Sequence, residues 1–273
     1  MNRDQQIAVG AAAATFAPGI VLWAVGVPSV VALLVSLAIA VGAILFLGRR
    51  WYQHIIARID QQAAHLQAAI GIAATSDMPV YWSGHAITPE TLKLVQHVVD
   101  SLEVGSVLEL GSGISTLLLA NDFRRRGAGR ILSFDDDRRW AEQTTAKLKR
   151  EKLDGFAEVR VAPLVDVEAG GRRGKWYDLA ALDKASRFDL IIVDGPPAWQ
   201  GDSLARLPAL YALRGHLSDR GMLMLDDAAR PGERAIAQQW QRDFPDLHFR
   251  MVQTGRGLFV ASVQKSTLDL LPD

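Results

Sequence analysis

Three carboxylates stand where they could do chemistry. Asp194 closes the run Phe188–Val193, and Asp226 and Asp227 close the run Met222–Leu225. The first run is apolar on both faces, the pattern of a strand covered above and below in a parallel sheet. Adjacent parallel strands would bring the three acids together at their carboxyl ends. Such a group can take a proton from a hydroxyl, or it can hold Mg²⁺ through oxygen ligands. Without a metal the acids repel, and one of them acquires a raised pKa suited to a general base. The plainer alternative makes Asp227 the N-cap of the next helix and leaves Asp226 to order the pocket rim.

A second constellation is Glu109-Leu110-Gly111-Ser112-Gly113, at the end of the buried run Ser106–Leu110. Glycines at a strand-to-helix turn let a ligand approach bare backbone. Asp135 ends the next run, Ile131–Phe134, 22 residues after Gly113. A carboxylate there can accept from both ribose hydroxyls of a nucleoside. Position 116 is Thr, so the third glycine of a dinucleotide fingerprint is missing. In the run Asp135-Asp136-Asp137, Asp137 is the expected cap of a helix over 138–152, while Asp135 faces the ligand.

These residues need a sheet to hold them. Past residue 85 strands and helices alternate. Thr88 caps a helix that Pro89 opens, and helices follow over 115–126, 138–152, 203–217 and 232–244, with strands at 106–110, 131–134, 157–161, 188–193 and 222–225. The runs 247–253 and 257–262 are joined by Thr254-Gly255-Arg256 alone. So short a link requires an antiparallel pair. The expected fold is therefore α/β, a Rossmann-like, doubly wound and mostly parallel seven-stranded sheet ending in an antiparallel hairpin. Leu164–Ser186 reads as the longest irregular stretch. Its glycines suggest mobility, with Trp176 and Tyr177 closing over a substrate; a solvated loop with one aromatic anchor is the alternative. Tyr81, Trp82 and His85 could line the same mouth. Trp199 and Arg230, after strand ends, are further candidates for substrate contact.

From Gln5 to Gly48 no residue is charged. Gly26-Val27-Pro28-Ser29 breaks the stretch into Ile7–Val27 and Val30–Leu47, each roughly 27–32 Å long as a helix. This predicts a transmembrane helical hairpin over 1–50. Arg3 precedes it, Arg49, Arg50 and Arg58 follow it, and its loop carries no Lys or Arg, so both termini and the catalytic domain are expected in the cytoplasm. A buried helical hairpin, or a cleaved signal before one stop-transfer helix, are the alternatives. Residues 51–79 read as a juxtamembrane helix and linker. The stripe along 51–74 either pairs with a second copy as a homodimer or packs on the domain over 80–273.

Composition removes several classes. The 273 residues include no Cys, which excludes disulfides and thiolate metal sites, and the six His show no metal-ligand spacing. Lys+Arg and Asp+Glu balance at 30 each, against the basic surplus a nucleic-acid binder needs.

Taken in order, VLELGSGISTLLLA, ILSFDDD, FDLIIVDGPP, GMLMLDDAARPGE and TGRGLFV resemble the motifs of class I S-adenosylmethionine (SAM)-dependent methyltransferases. They are most similar to a bacterial group of small methyltransferase domains. The resemblance covers about residues 80–263. It implies that Gly111, Ser112 and Gly113 meet the methionine end of SAM and that Glu109 helps hold its ammonium. It also implies that Asp135 takes the ribose, that Pro163 borders the adenine, and that Asp194 lies beside the methionine and the acceptor. Catechol-type O-methyltransferases are similar in placing acids after the same two strands. This sequence departs from them in having Asp227 where they carry Asn, and Gly195-Pro196-Pro197 after Asp194. The expected function is a membrane-anchored O-methyltransferase acting on a small molecule, lipid or saccharide, with His85 a candidate base. The rivals are a nicotinamide-dependent oxidoreductase, an aminopropyl transferase, and a non-catalytic SAM-binding membrane scaffold.

Overall fold

The computed structural model describes residues 28–82, 86–197 and 201–272. The expected first crossing, 7–27, and the candidates His85 and Trp199 lie outside them. The chain divides into two compact units that part between Ala63 and Ala64.

Helix α1 runs from Ser29 to Thr75. The expected second crossing and the juxtamembrane helix are thus one helix, unbroken at Arg49-Arg50 and at Gln62. Neither Gly nor Pro interrupts the stretch between them, so nothing in the backbone chemistry stops propagation there. The most apolar 18 residues of α1 have a mean hydropathy of 3.0 and are almost entirely exposed. Among the described residues, this is the helix long and apolar enough to cross a membrane.

In the second unit, α2 (Pro89–Ser101) starts at Thr88, whose hydroxyl accepts from Thr91 N as the sequence implies. The central sheet is built from β1 (Ser106–Leu110), β2 (Arg130–Asp135), β3 (Ala157–Val161), β6 (Phe188–Val193), β7 (Leu217–Leu225), β8 (His248–Val252) and β9 (Leu258–Ser262), with β4 and β5 set apart. Its spatial order is β3-β2-β1-β6-β7-β9-β8. The first five strands are parallel, and β9 runs antiparallel to both β7 and β8. The order reverses at β1, which lies between β2 and β6. Ligands of open α/β sheets bind at such a switch point, beyond the carboxyl ends of the strands.

Alternation along the strands makes two cores. Val107, Leu190, Ile192, Met222 and Met224 point to one face, where they meet Leu92 and Val95 of α2, Leu118 and Phe123 of α3 (Ile114–Arg126) and Leu148 of α4 (Arg138–Arg150). Leu108, Leu110, Ile191, Val193, Leu223 and Leu225 point to the other, against Leu210 and Leu213 of α5 (Pro208–Leu213) and Ile236 and Trp240 of α6 (Pro231–Asp243). Each fully buried side chain of this size contributes about 1.5–3 kcal/mol through lost apolar exposure, so both faces hold the strand ends rigidly. The chain closes with the short helix α7 (Lys265–Leu268).

Two expectations are corrected. The helix expected over 203–217 shrinks to α5 and a 3-10 turn at Arg214–His216. Pro208 has no N–H to continue a helix begun earlier, so helix restarts there with Pro in the first turn. The stretch 164–186 is not irregular throughout. Leu164–Ala169 (β4) and Arg172–Tyr177 (β5) form an antiparallel hairpin. Gly170 and Gly171 both have positive φ, 59° and 74°, as a two-residue primed turn requires. Cross-strand register sets Asp166 opposite Lys175 and Glu168 opposite Arg173, pairs of opposite charge. The glycines that suggested mobility serve this turn.

Candidate active site

The turn after β1 is drawn against the loop after β6. Gly111 has φ +98°, and a Cβ on it would sit 3.2 Å from Gly195 N. Gly111 N donates to Phe134 O, while Asp194 N and Gly195 N both donate to Leu110 O, at 3.0 and 2.9 Å. The ends of β1, β2 and β6 are thereby tied together. Gly113, which opens α3, fronts open space: a Cβ there would meet nothing within 4 Å.

Asp135 is buried beside this turn. Its Oδ2 accepts from Ser112 N at 2.9 Å and Ser112 Oγ at 2.5 Å, and its Oδ1 accepts from Asp137 N at 3.0 Å. Asp137 caps α4, accepting from Arg139 N and Trp140 N. Glu109 is fully buried and accepts from Ser115 Oγ, Thr116 Oγ1 and Ser133 Oγ at 2.5, 2.5 and 2.8 Å. Burial raises its pKa, and the three hydroxyls oppose that rise. These bonds make Glu109 the brace between β1, β2 and the start of α3.

Trp176 and Tyr177 are core residues rather than a mobile cover, 1% and 2% exposed and packed edge to face with centroids 5.1 Å apart. The Tyr177 hydroxyl abuts Gly195 and has no hydrogen-bond partner among the described residues. Burial pushes its pKa well up, and Asp136, Asp135 and Asp194 push the same way. Pro163 is exposed at the end of β3, with its carbonyl accepting from Asp178 N.

Asp194, Asp226 and Asp227 meet as expected: one oxygen from each lies within 4.8 Å of the others. Asp227 does not cap α6, whose N-cap is Arg230 without a side-chain bond. Instead Asp227 has φ +60°, a left-handed conformation that Asp tolerates better than most residues. Both oxygens of Asp226 are buried and take no side-chain hydrogen bond among the described residues. Its pKa is raised to about 6, first by burial and then by Asp227. That of Asp194 is raised well above the carboxylate range by burial and by Asp226, with Arg206 opposing.

Arg206 is the residue that sequence reasoning missed. Its guanidinium is 3% exposed and reaches all parts of the cluster. Nη2 lies 3.4 Å from Asp194 Oδ1, and Nη1 lies 3.5 Å from Asp227 Oδ2 and 4.0 Å from Glu233 Oε1. Nε donates to Pro196 O, Nη1 to Asp226 O at 3.0 Å and Nη2 to Asp194 O. Arg230 and Arg256 flank Asp227 at 2.9 and 3.7 Å. One signal was available: Arg206 is the lone charge in Leu204-Ala205-Arg206-Leu207-Pro208-Ala209-Leu210, and a charge in an apolar run needs a buried partner.

With this geometry in hand, known proteins can be compared. A family model described as a methyltransferase domain matches residues 108–228, from β1 to the loop after β7. Residues 108–228 thus carry a methyltransferase domain. No curated protein matches the chain. Among solved structures, one from Klebsiella pneumoniae described as an O-methyltransferase is 16% identical, with a TM-score of 0.51 over 75% of this chain and 99% of that one. An S-adenosylhomocysteine-bound methyltransferase from Podospora anserina is 14% identical, with a TM-score of 0.51 over 72% of this chain and 86% of the other. At such identities the likeness is one of fold, and the fold is that of O-methyltransferases.

The residues at the switch point fit SAM: Gly113 fronts open space, Asp135 offers a buried carboxylate, and the Tyr177 hydroxyl has no hydrogen-bond partner among the described residues. A divalent metal fits less well. Asp226 has oxygens to offer, but a guanidinium already stands against Asp194 and Asp227, with all three of its nitrogens bonded to backbone carbonyls.

Proposed function

We propose that the methyltransferase domain transfers a methyl group from SAM to a hydroxyl oxygen of a small-molecule, lipid or saccharide acceptor at a membrane surface. The reading rests on one contact, that of Gly111 with Gly195, which joins the nucleoside crevice to the carboxylate cluster. Gly111, Ser112 and Gly113 face the methionine end, and Asp135 takes the ribose, exchanging its bond from Ser112 Oγ for ribose hydroxyls. Pro163 borders the adenine. Glu109 acts through the turn it braces.

SAM supplies a methyl on a sulfonium, already a good leaving group. The chain must align the acceptor and receive its proton, and alignment alone can contribute several kcal/mol. With SAM bound, its methyl would pass to the acceptor oxygen, and Asp194 or Asp226 would receive the hydroxyl proton. Burial raises the pKa of Asp226 to about 6, which suits proton uptake near neutrality, and raises that of Asp194 as well. Of the two uses foreseen for Asp194, Asp226 and Asp227, proton acceptor or Mg²⁺ site, Arg206 favours the first.

The acceptor has a place to lie. A groove of about 770 Å³ runs between the β4–β5 hairpin and the loop after β6, lined by Leu164, Val167, Arg173, Lys175, Pro196 and Pro197 among others. Its mixture of apolar wall and charged rim suits an amphipathic acceptor. The apolar part of α1 anchors the chain in the inner membrane, with Arg49, Arg50 and Arg58 on the cytoplasmic side. Residues 51–74 supply a seam for a second copy.

The test is calorimetric titration of the full chain in detergent micelles. Binding of S-adenosylhomocysteine with micromolar affinity, and none of NAD, is expected. Failure of S-adenosylhomocysteine to bind would end the reading. Binding without methyl transfer to any membrane lipid or saccharide fraction would leave a scaffold.

A further inference from the structure

The cluster around Asp194 contains a cation that is part of the chain. Four carboxylates (Asp194, Asp226, Asp227 and Glu233) face three guanidiniums (Arg206, Arg230 and Arg256). Arg230 and Arg256 are 43% and 32% exposed along their side chains and reach the cluster from its rim, at Asp227. Arg206 is different. It is buried, and its planar fork spans the ends of β6 and β7, bonding Asp194 O, Pro196 O and Asp226 O while standing against Asp194 Oδ1 and Asp227 Oδ2. A guanidinium cannot shed its proton in a protein, so this charge is permanent.

We infer that Arg206 is a positioning residue that does the electrostatic work of a bound divalent cation, and that methyl transfer here needs no metal. A buried group of acids requires positive charge close by. Either a metal or a side chain can provide it, and both cannot stand in one place. A metal entering between Asp194 and Asp227 would have to dislodge a fork held by three carbonyls, and the carbonyls would then be stranded. Arg206 also holds the Asp194 carbonyl and carboxylate from one nitrogen, which restricts the side chain's orientation. The acceptor therefore needs one ionisable hydroxyl, not a pair of oxygens able to chelate. The catalytic consequence rests on the methyl-transfer reading; the exclusion of metal does not.

The experiment separates the two. Mn²⁺ is titrated into full-length chain in micelles and free Mn²⁺ is followed by electron paramagnetic resonance, with S-adenosylhomocysteine binding measured alongside in EDTA. Wild type is expected to leave the Mn²⁺ signal undiminished and to bind S-adenosylhomocysteine equally well with and without EDTA. Arg206→Ala opens the cluster and should take up Mn²⁺ roughly tenfold or more tightly than wild type, whereas Arg206→Lys, which keeps the charge, should not. Stoichiometric Mn²⁺ binding by wild type that disappears in Asp226→Asn would overturn the inference, and needs no folded Arg206 variant to be seen. Equal, negligible uptake by a folded Arg206→Ala would also overturn it. Absence of S-adenosylhomocysteine binding would instead sink the methyl-transfer reading and leave the metal result standing.

Discussion

At the scale of single residues, the carboxylate cluster carries the clearest predictions. Asp194→Asn is nearly isosteric and keeps an acceptor for Arg206, so the fold should persist while turnover falls about 10²–10⁴-fold. Single-turnover rates would check this, and a normal rate would refute the role. Asp226 gives a pH test. Its pKa is raised to about 6 in the folded chain, by burial first and Asp227 second. Between the ordinary carboxylate value and about 6 the folded state thus holds more proton than the unfolded one, so stability falls as pH rises through that window and levels off above it. Asp226→Asn cannot ionise. It should flatten that fall and raise stability at pH 7–8 by up to ~3 kcal/mol, the free energy of ionising a carboxyl so displaced from its ordinary value. Urea melts at several pH values measure it. These acids were legible in the sequence because each ends an apolar strand. Their partner Arg206 was not, because it lies in the segment between β6 and β7, and only the folded chain brings it back to the strand ends.

At the scale of elements, strands were easier to read than what joins them. Strand β6 and the end of β7 bury side chains on both faces, and their apolar runs are local and continuous. The β4–β5 hairpin escaped because Asp166, Glu168, Arg173 and Lys175 lie along it, and charge in short runs resembles loop. The Gly170-Gly171 pair was the overlooked signal. The Gly111 turn, by contrast, was foreseen, and it makes an element-scale prediction. Gly111→Ala forces a side chain into a left-handed backbone and against Gly195 N. A loss of about 1–3 kcal/mol in stability is expected, together with weakened S-adenosylhomocysteine binding, because the turn and the loop after β6 must part. Thermal melts with and without ligand will show both effects. An unchanged melting temperature would mean that the two loops are not packed as described.

At the scale of the whole molecule, the chain joins an apolar helix to a methyltransferase domain. Val30, Leu33, Leu34, Ile44, Leu45 and Phe46 of α1 are exposed, an apolar surface of the kind that marks a membrane or protein contact. Trp51 and Tyr52 follow Arg49 and Arg50, the residue types enriched at a membrane–water boundary. Expressed at full length, the chain should stay in the membrane pellet after sodium carbonate at high pH and leave it only with detergent. Release by carbonate would reduce α1 to a peripheral or protein-binding helix. Composition revealed this segment more plainly than any other, since the absence of charge from Gln5 to Gly48 needs no fold to be seen. It did not reveal that this segment and the helix expected over 51–74 are one, because the charges at Arg49 and Arg50 end the apolar run without ending the backbone helix.

The β4–β5 hairpin pairs with itself and with no strand of the main sheet. Its tip can therefore change in length or sign without shifting the register of any catalytic strand. A new tip grafted between Asp166 and Lys175 would reshape the groove beside it while leaving the strand ends that carry the carboxylates in place.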